Sequence, residues 1–102
     1  MREFVDWMQQ YNREASLRDQ NYVAGYERAE ALVEVLRRCG DNLTRANVMQ
    51  QAAHLDIELG MLRTGIRVRT SPGDYQPVHQ LFLMKFDGRS WVPIGAVIDP
   101  GA

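Results

Sequence analysis

The sequence predicts an α+β domain, three helices followed by a small antiparallel sheet, and three observations predict it. Apolar residues recur with a period near 3.6 over the first 55 residues. After about residue 60 the period changes to 2. Asp87-Gly88 then falls between two strongly apolar runs, a strong short-range hairpin signal.

The first helix rests on Phe4, Trp7, Met8 and Tyr11, which share one helical face, while Arg2, Glu3, Asp6, Gln9, Gln10 and Arg13 take the other. The second and longer helix follows the loop Ser16-Leu17-Arg18-Asp19-Gln20-Asn21. Its stripe is Tyr22, Tyr26, Ala29, Val33 and Leu36, widened by Val23, Leu32 and Val35, so the helix is expected to be buried on more than one side. Gly40 ends it as a C′ glycine would, with Arg37 and Arg38 in the last turn, where the helix dipole favours cations.

Thr44 is the expected N-cap of the third helix, with Leu43 placed to staple onto Val48 and Asn47 standing where a full capping box has Glu or Gln. Val48, Met49, Ala52, Ala53 and Leu55 give that helix a short apolar face. In the second half, Ile66, Val68 and Thr70 alternate with Arg67 and Arg69, the pattern of a strand with one wet face. Ser71-Pro72-Gly73-Asp74 is a turn by composition. Two further strands are expected over residues 78–86 and 91–98. Pro93 cannot donate a ladder hydrogen bond, so the last strand is either an edge or broken there.

The chain has 102 residues, enough for one domain and too few for two, and residues 1–102 are read as that single domain. At 45% hydrophobic and 25% charged, the composition is that of a globular protein. Twelve Lys and Arg against thirteen Asp and Glu argue against a nucleic-acid partner, whose affinity would come from neutralising phosphates. Cys39 is the one cysteine and cannot make an internal disulfide. No apolar run approaches the ~18 residues of a membrane span. The first residues, Met1-Arg2-Glu3-Phe4-Val5-Asp6, carry acidic groups where a signal peptide needs an unbroken apolar stretch.

No enzyme chemistry assembles from these residues: no catalytic set, no metal site and no cofactor is expected. His54 near a helix end reads as a surface residue, and His79, alternating with Leu81 and Leu83, as a strand residue. Neither has a Cys or His partner at metal-ligand spacing. Cys39 lies beside Arg37 and Arg38, which can activate a thiol, but a small apolar residue at a helix end is the simpler reading. Gly60, Gly65, Gly73 and Gly88 are scattered and form no phosphate loop. Glu27, Glu30 and Glu34, near Arg28, Arg37 and Arg38, read as a solvated helix face with salt-bridge support. Tyr22 and Tyr26 are placed either to pack or to line a cleft at the edge of the domain.

Three blocks carry a family resemblance. The first is Gly25-Tyr26-Glu27-Arg28-Ala29-Glu30-Ala31-Leu32-Val33-Glu34-Val35-Leu36 with Cys39-Gly40-Asp41-Asn42-Leu43-Thr44-Arg45-Ala46-Asn47-Val48-Met49. The second is Met61-Leu62-Arg63-Thr64-Gly65-Ile66 with Thr70-Ser71-Pro72-Gly73-Asp74-Tyr75. The third is Leu83-Met84-Lys85-Phe86-Asp87-Gly88-Arg89-Ser90-Trp91-Val92-Pro93. Together, from about Phe4 to Ile98, they resemble the carboxy-terminal end of the extracellular solute-binding proteins of ABC transporters, branched-chain amino acid (leucine/isoleucine/valine) type.

The resemblance implies a segment of a two-lobed α/β clamshell, the periplasmic binding protein type I fold, with ligand held between the lobes. This chain is expected to supply only the last helices and closing strands, without the amino-terminal lobe or a secretory signal. It is then either a piece of a longer chain or a truncated relative standing by itself. The implied function is the substrate-binding component of a transporter for branched-chain amino acids or related carboxylates and amides, in the periplasm, with an ABC permease as the complete protein's partner. A small-molecule ligand would be held only together with the other lobe. By resemblance Tyr22 closes over the apolar part of the ligand, with Asn21 beside it. The alternative is a stand-alone α+β interaction or assembly domain without a transport role. Either way an isolated chain is expected to form homo-oligomers.

Overall fold

In the computed structural model, residues 1–100 are described. Helix α1 (Arg2–Tyr11) buries Phe4 and Met8, while Trp7 and Tyr11 stay exposed. The four-residue face of the sequence reading is therefore used along one line only. Helix α2 (Gln20–Cys39) starts earlier than expected, so Gln20 and Asn21 belong to its first turn and not to the loop. Asp19 caps it, accepting a 2.9 Å hydrogen bond from the Asn21 N–H. At the other end Gly40 takes φ 57°, a conformation that an L side chain resists, and its N–H donates to Arg37 O.

The core side of α2 differs from the expected stripe. Val35 and Cys39 are the buried residues of this helix, and Ala31 is packed beside them. Tyr22, Leu32, Val33 and Leu36 remain exposed. Val35 and Ala31 face the core where small side chains allow close approach, while Tyr26, on another side of the helix, packs against Phe4 and Trp7 of α1.

Helix α3 (Arg45–Ala52) begins at Thr44, whose hydroxyl accepts from Asn47 N–H at 3.2 Å, as the sequence predicts. Asn47 replaces the capping-box Glu with another device: its side-chain amide donates to Asn42 O at 2.8 Å and fastens the α2–α3 loop. Leu43 is 63% exposed, so the expected staple does not bury it. Of the expected apolar face, Val48 and Ala52 pack on the core, Leu55 enters it from beyond the helix, and Met49 faces solvent.

One expected sheet becomes two. Strands β1 (Asp56–Ile57) and β2 (Val68–Arg69) pair antiparallel, with Asp56 opposite Arg69 and Ile57 opposite Val68. Strand β1 had no sequence signal, being two residues long. The core is built here, from Val35, Leu55, Ile57, Leu59 and Val68, with Val48, Ala52, Leu62 and Val78 around it. Thr70 closes it: its hydroxyl accepts from Leu55 N–H at 2.9 Å and donates to Ala52 O at 2.7 Å. Ser71 and Asp74 exchange backbone hydrogen bonds of 2.9 and 3.0 Å, which makes the expected turn.

Strands β3 (Leu81–Phe86) and β4 (Trp91–Ile98) form the second sheet, a hairpin. Its strand starts at Leu81, so Val78 and His79 lie before it; Val78 packs on the core instead. The Asp87-Gly88 signal is correct, although the loop holds four residues: the Asp87 carboxylate accepts from the N–H groups of Arg89 and Ser90, and Gly88 takes φ 97°. Pro93 sits opposite Met84 in an unbroken strand, tolerated because a two-stranded sheet has only edges. The register shifts between Leu81 and Leu83, next to Gly95 at φ 70°.

The hairpin leaves the molecule extended. The radius of gyration is 16.1 Å, against about 13 Å for a compact chain of this length.

Candidate functional site

An open cleft of about 680 Å³ lies between α2 and the β1–β2 sheet. Helix α2 contributes Tyr26, Glu30, Val33 and Arg37, and the sheet side contributes residues 56–59 and Arg67. Helical spacing puts the α2 residues on its exposed stripe, and the short strand pair holds the facing wall.

That wall is organised by an ion-pair chain. Arg67 Nε donates to Asp56 Oδ1 at 2.6 Å and its Nη2 to Asp56 O at 2.9 Å. Arg69 Nε lies 3.8 Å from the same carboxylate. The hydrogen bond from Arg67 holds the Asp56 carboxyl below its ordinary range, against a smaller opposing effect of desolvation. The same bond raises the Arg67 guanidinium. Sequence reading took Arg67 and Arg69 only as the wet face of a strand. Two arginines at i, i+2 project to one side of a strand, and that was the available signal for a shared carboxylate across the sheet.

The opposite wall departs from the solvated face expected of α2. Glu34 does pair with Arg38, at 3.2 Å. Glu30, however, has its Oε1 buried with no hydrogen-bond partner among the described residues. The cleft thus carries carboxylates on both sides and two guanidinium groups, a polar surface suited to a zwitterion or an amine.

Tyr22 and Asn21 stand apart from this cleft. Both are exposed on the first turn of α2, and neither lines it. Tyr26 does two jobs, lining the cleft and packing its ring against Phe4 at 5.3 Å and Trp7 at 5.7 Å between centroids. Cys39 is buried at the end of α2. His54 is exposed, its Nδ1 2.7 Å from Gln50 O, and His79 lies 2.9 Å from Asp74 Oδ2. Among the described residues no three His, Cys, Asp or Glu side chains are grouped to hold a metal ion. No helix among them is long and apolar enough to cross a membrane.

The fold and its cleft define a small α+β domain. Compared with protein-family models, with curated proteins and with solved structures, the chain has no match.

Proposed function

We propose that this chain is the carboxy-terminal portion of an ABC-transporter solute-binding protein of the branched-chain amino acid type, a periplasmic binding component and not an enzyme. The observation that supports this most is the outer stripe of α2. Leu32, Val33 and Leu36 are 53%, 45% and 41% exposed beside an open cleft. A helix with apolar residues around most of its circumference belongs between two layers. In a clamshell protein the second layer is the remainder of the lobes, and ligand would be enclosed only when they close. The α-amino and α-carboxylate groups of an amino acid would be met chiefly by the other lobe, through charge-assisted hydrogen bonds. The complete protein would hand its ligand to an ABC permease.

The experiment joins this chain to the amino-terminal lobe of a binding protein of that type and titrates leucine by calorimetry. The joined protein should bind leucine with micromolar affinity, and the chain by itself should give no heat at millimolar leucine, since one lobe cannot bury most of a ligand's surface. Micromolar binding by the chain alone would overturn the two-lobe reading. The second reading, a stand-alone interaction or assembly domain, is favoured by a different feature, the apolar hairpin.

A further inference from the structure

Helix α2 carries Glu30, Val33 and Arg37 into the cleft it shares with β1–β2. Seven residues fall about 20° short of two helical turns, so Glu30 and Arg37 lie on one face, about 10.5 Å apart along the axis. Val33 stands between them, and Ile57 and Leu59 line the sheet side. Most other charged groups of the cleft are engaged. Asp56 and Arg67 bond each other, Glu34 pairs with Arg38, and Glu58 Oε1 accepts from the Gly65 N–H at 3.4 Å. Among the described residues Arg37 and Glu30 make no ion pair, and neither does Glu3, which shares an adjoining cavity with Glu30. The cleft therefore holds uncommitted charge of opposite sign at its two ends.

We infer that this cleft takes a short peptide, about three residues long, laid along α2 with its α-carboxylate on Arg37 and its α-ammonium at Glu30 and Glu3. Length is the first argument. An extended chain spans about 3.3–3.6 Å per residue, so three residues match the separation along the helix. The ammonium and carboxylate of a single amino acid sit on one carbon and cannot reach both ends. Polarity is the second. A simple amine or a simple anion would meet one end and leave the other unmatched, whereas a peptide presents both charges with charge-assisted hydrogen bonds at each. The stretch between is the third. Val33, Ile57 and Leu59 offer an apolar contact midway, which favours an apolar central side chain. The volume of about 680 Å³ lies within the roughly 300–1,000 Å³ of small-ligand sites.

This site needs no second lobe, so its test is separate from that of leucine binding. The cleft is open and leaves one side of the peptide in water, so the expected dissociation constant is about 1 mM. Amide nitrogen–proton correlation spectra of the chain, titrated with alanyl-leucyl-alanine, follow binding in that range. Shifts should saturate and cluster at Glu30, Val33, Arg37 and Ile57, leaving β3 and β4 unmoved. The same peptide acetylated at one end and amidated at the other should bind about tenfold more weakly or not at all. Arg37→Gln should weaken the free peptide about tenfold and leave the affinity for its carboxy-terminal amide unchanged. Should that variant unfold, the comparison of free and blocked peptides on the native chain decides. No saturation up to about 10 mM peptide, equal affinity for the free and blocked forms, or shifts centred away from the cleft would each overturn the inference.

Discussion

Arg69 reaches across 30 residues of chain to Asp99, its Nη2 standing 2.9 Å from Oδ2 just beyond the end of β4. The same guanidinium lies 3.8 Å from Asp56 on β1. One side chain therefore ties the core sheet to the foot of the hairpin. Arg63 over Phe82, and Val97 against Gly65, complete the attachment.

Asp99→Ala should loosen that attachment with little change in global stability. The pair is part-buried, Arg69 being 42% and Asp99 18% exposed, and a single pair with one exposed partner contributes on the order of 1 kcal/mol. The core residues are untouched by the change. Hydrogen exchange should therefore accelerate at the amides of β3 and β4 and stay constant in α2 and β1–β2. Unchanged exchange in the hairpin would mean that Phe82 and Val97 suffice to hold it.

Acid should weaken the fold through two carboxylates. Asp56 is held below its ordinary pKa by the Arg67 hydrogen bond, and Asp87 by the N–H groups of Ser90 and Arg89. A carboxyl depressed in the folded state stabilises it at pH values above the unfolded pKa, about 3.9 for Asp. That contribution fades as pH falls through the folded value. Urea midpoints should accordingly be level near neutrality and decline below about pH 4. Asp87→Ala should flatten the decline and lower the midpoint at neutral pH, since it deletes both turn hydrogen bonds. A decline as steep in Asp56→Asn/Asp87→Ala as in the parent would assign it to other groups.

Features with local causes were legible in the sequence. Thr44 caps α3, Asp87-Gly88 turns the hairpin and Gly40 stops α2, each through chemistry within a few residues. The failures depend on distant contacts. Periodicity identified an apolar stripe on α2 from Tyr22 to Leu36, but which side meets the body depends on β1–β2, and the line through Val35 and Cys39 was chosen. Strand β1 is too short for a period. The cleft joins Glu30 to Asp56 and Arg67 across the chain, so no run of residues announces it. Two separate hairpin-like sheets, in place of one, follow from Val78 turning into the core before β3 begins.

Phe4 should be the costliest single residue to truncate. It is 1% exposed and packs edge-on against Tyr26, so Phe4→Ala leaves a void and frees α1 from α2. A loss of about 3 kcal/mol or more is expected for such a change. Cys39→Ala, by comparison, removes one small buried group and should cost about 1 kcal/mol. Chemical denaturation of the two variants checks the ranking. The native thiol should also react slowly with aromatic disulfides, because it is buried.

Tyr22 and Tyr26 should separate binding from stability. Tyr26 makes ring contacts with Phe4 and Trp7, each pair being worth about 1 kcal/mol. Tyr26→Ala should then destabilise the chain by about 2 kcal/mol once its lost burial is included. Tyr22 is 40% exposed at the start of α2, and Tyr22→Ala should change stability by no more than about 0.5 kcal/mol. In the protein joined to an amino-terminal lobe the order should reverse where ligand is concerned. If Tyr22 closes over the apolar part of leucine, its removal should weaken binding tenfold to a hundredfold, about 1.4 kcal/mol for each factor of ten. Calorimetry on the joined protein and its Tyr22→Ala variant, each first shown to be folded, makes the measurement. Equal affinities would remove Tyr22 from the site and shift attention to the α2–β1 cleft, whose nearest tyrosine is Tyr26.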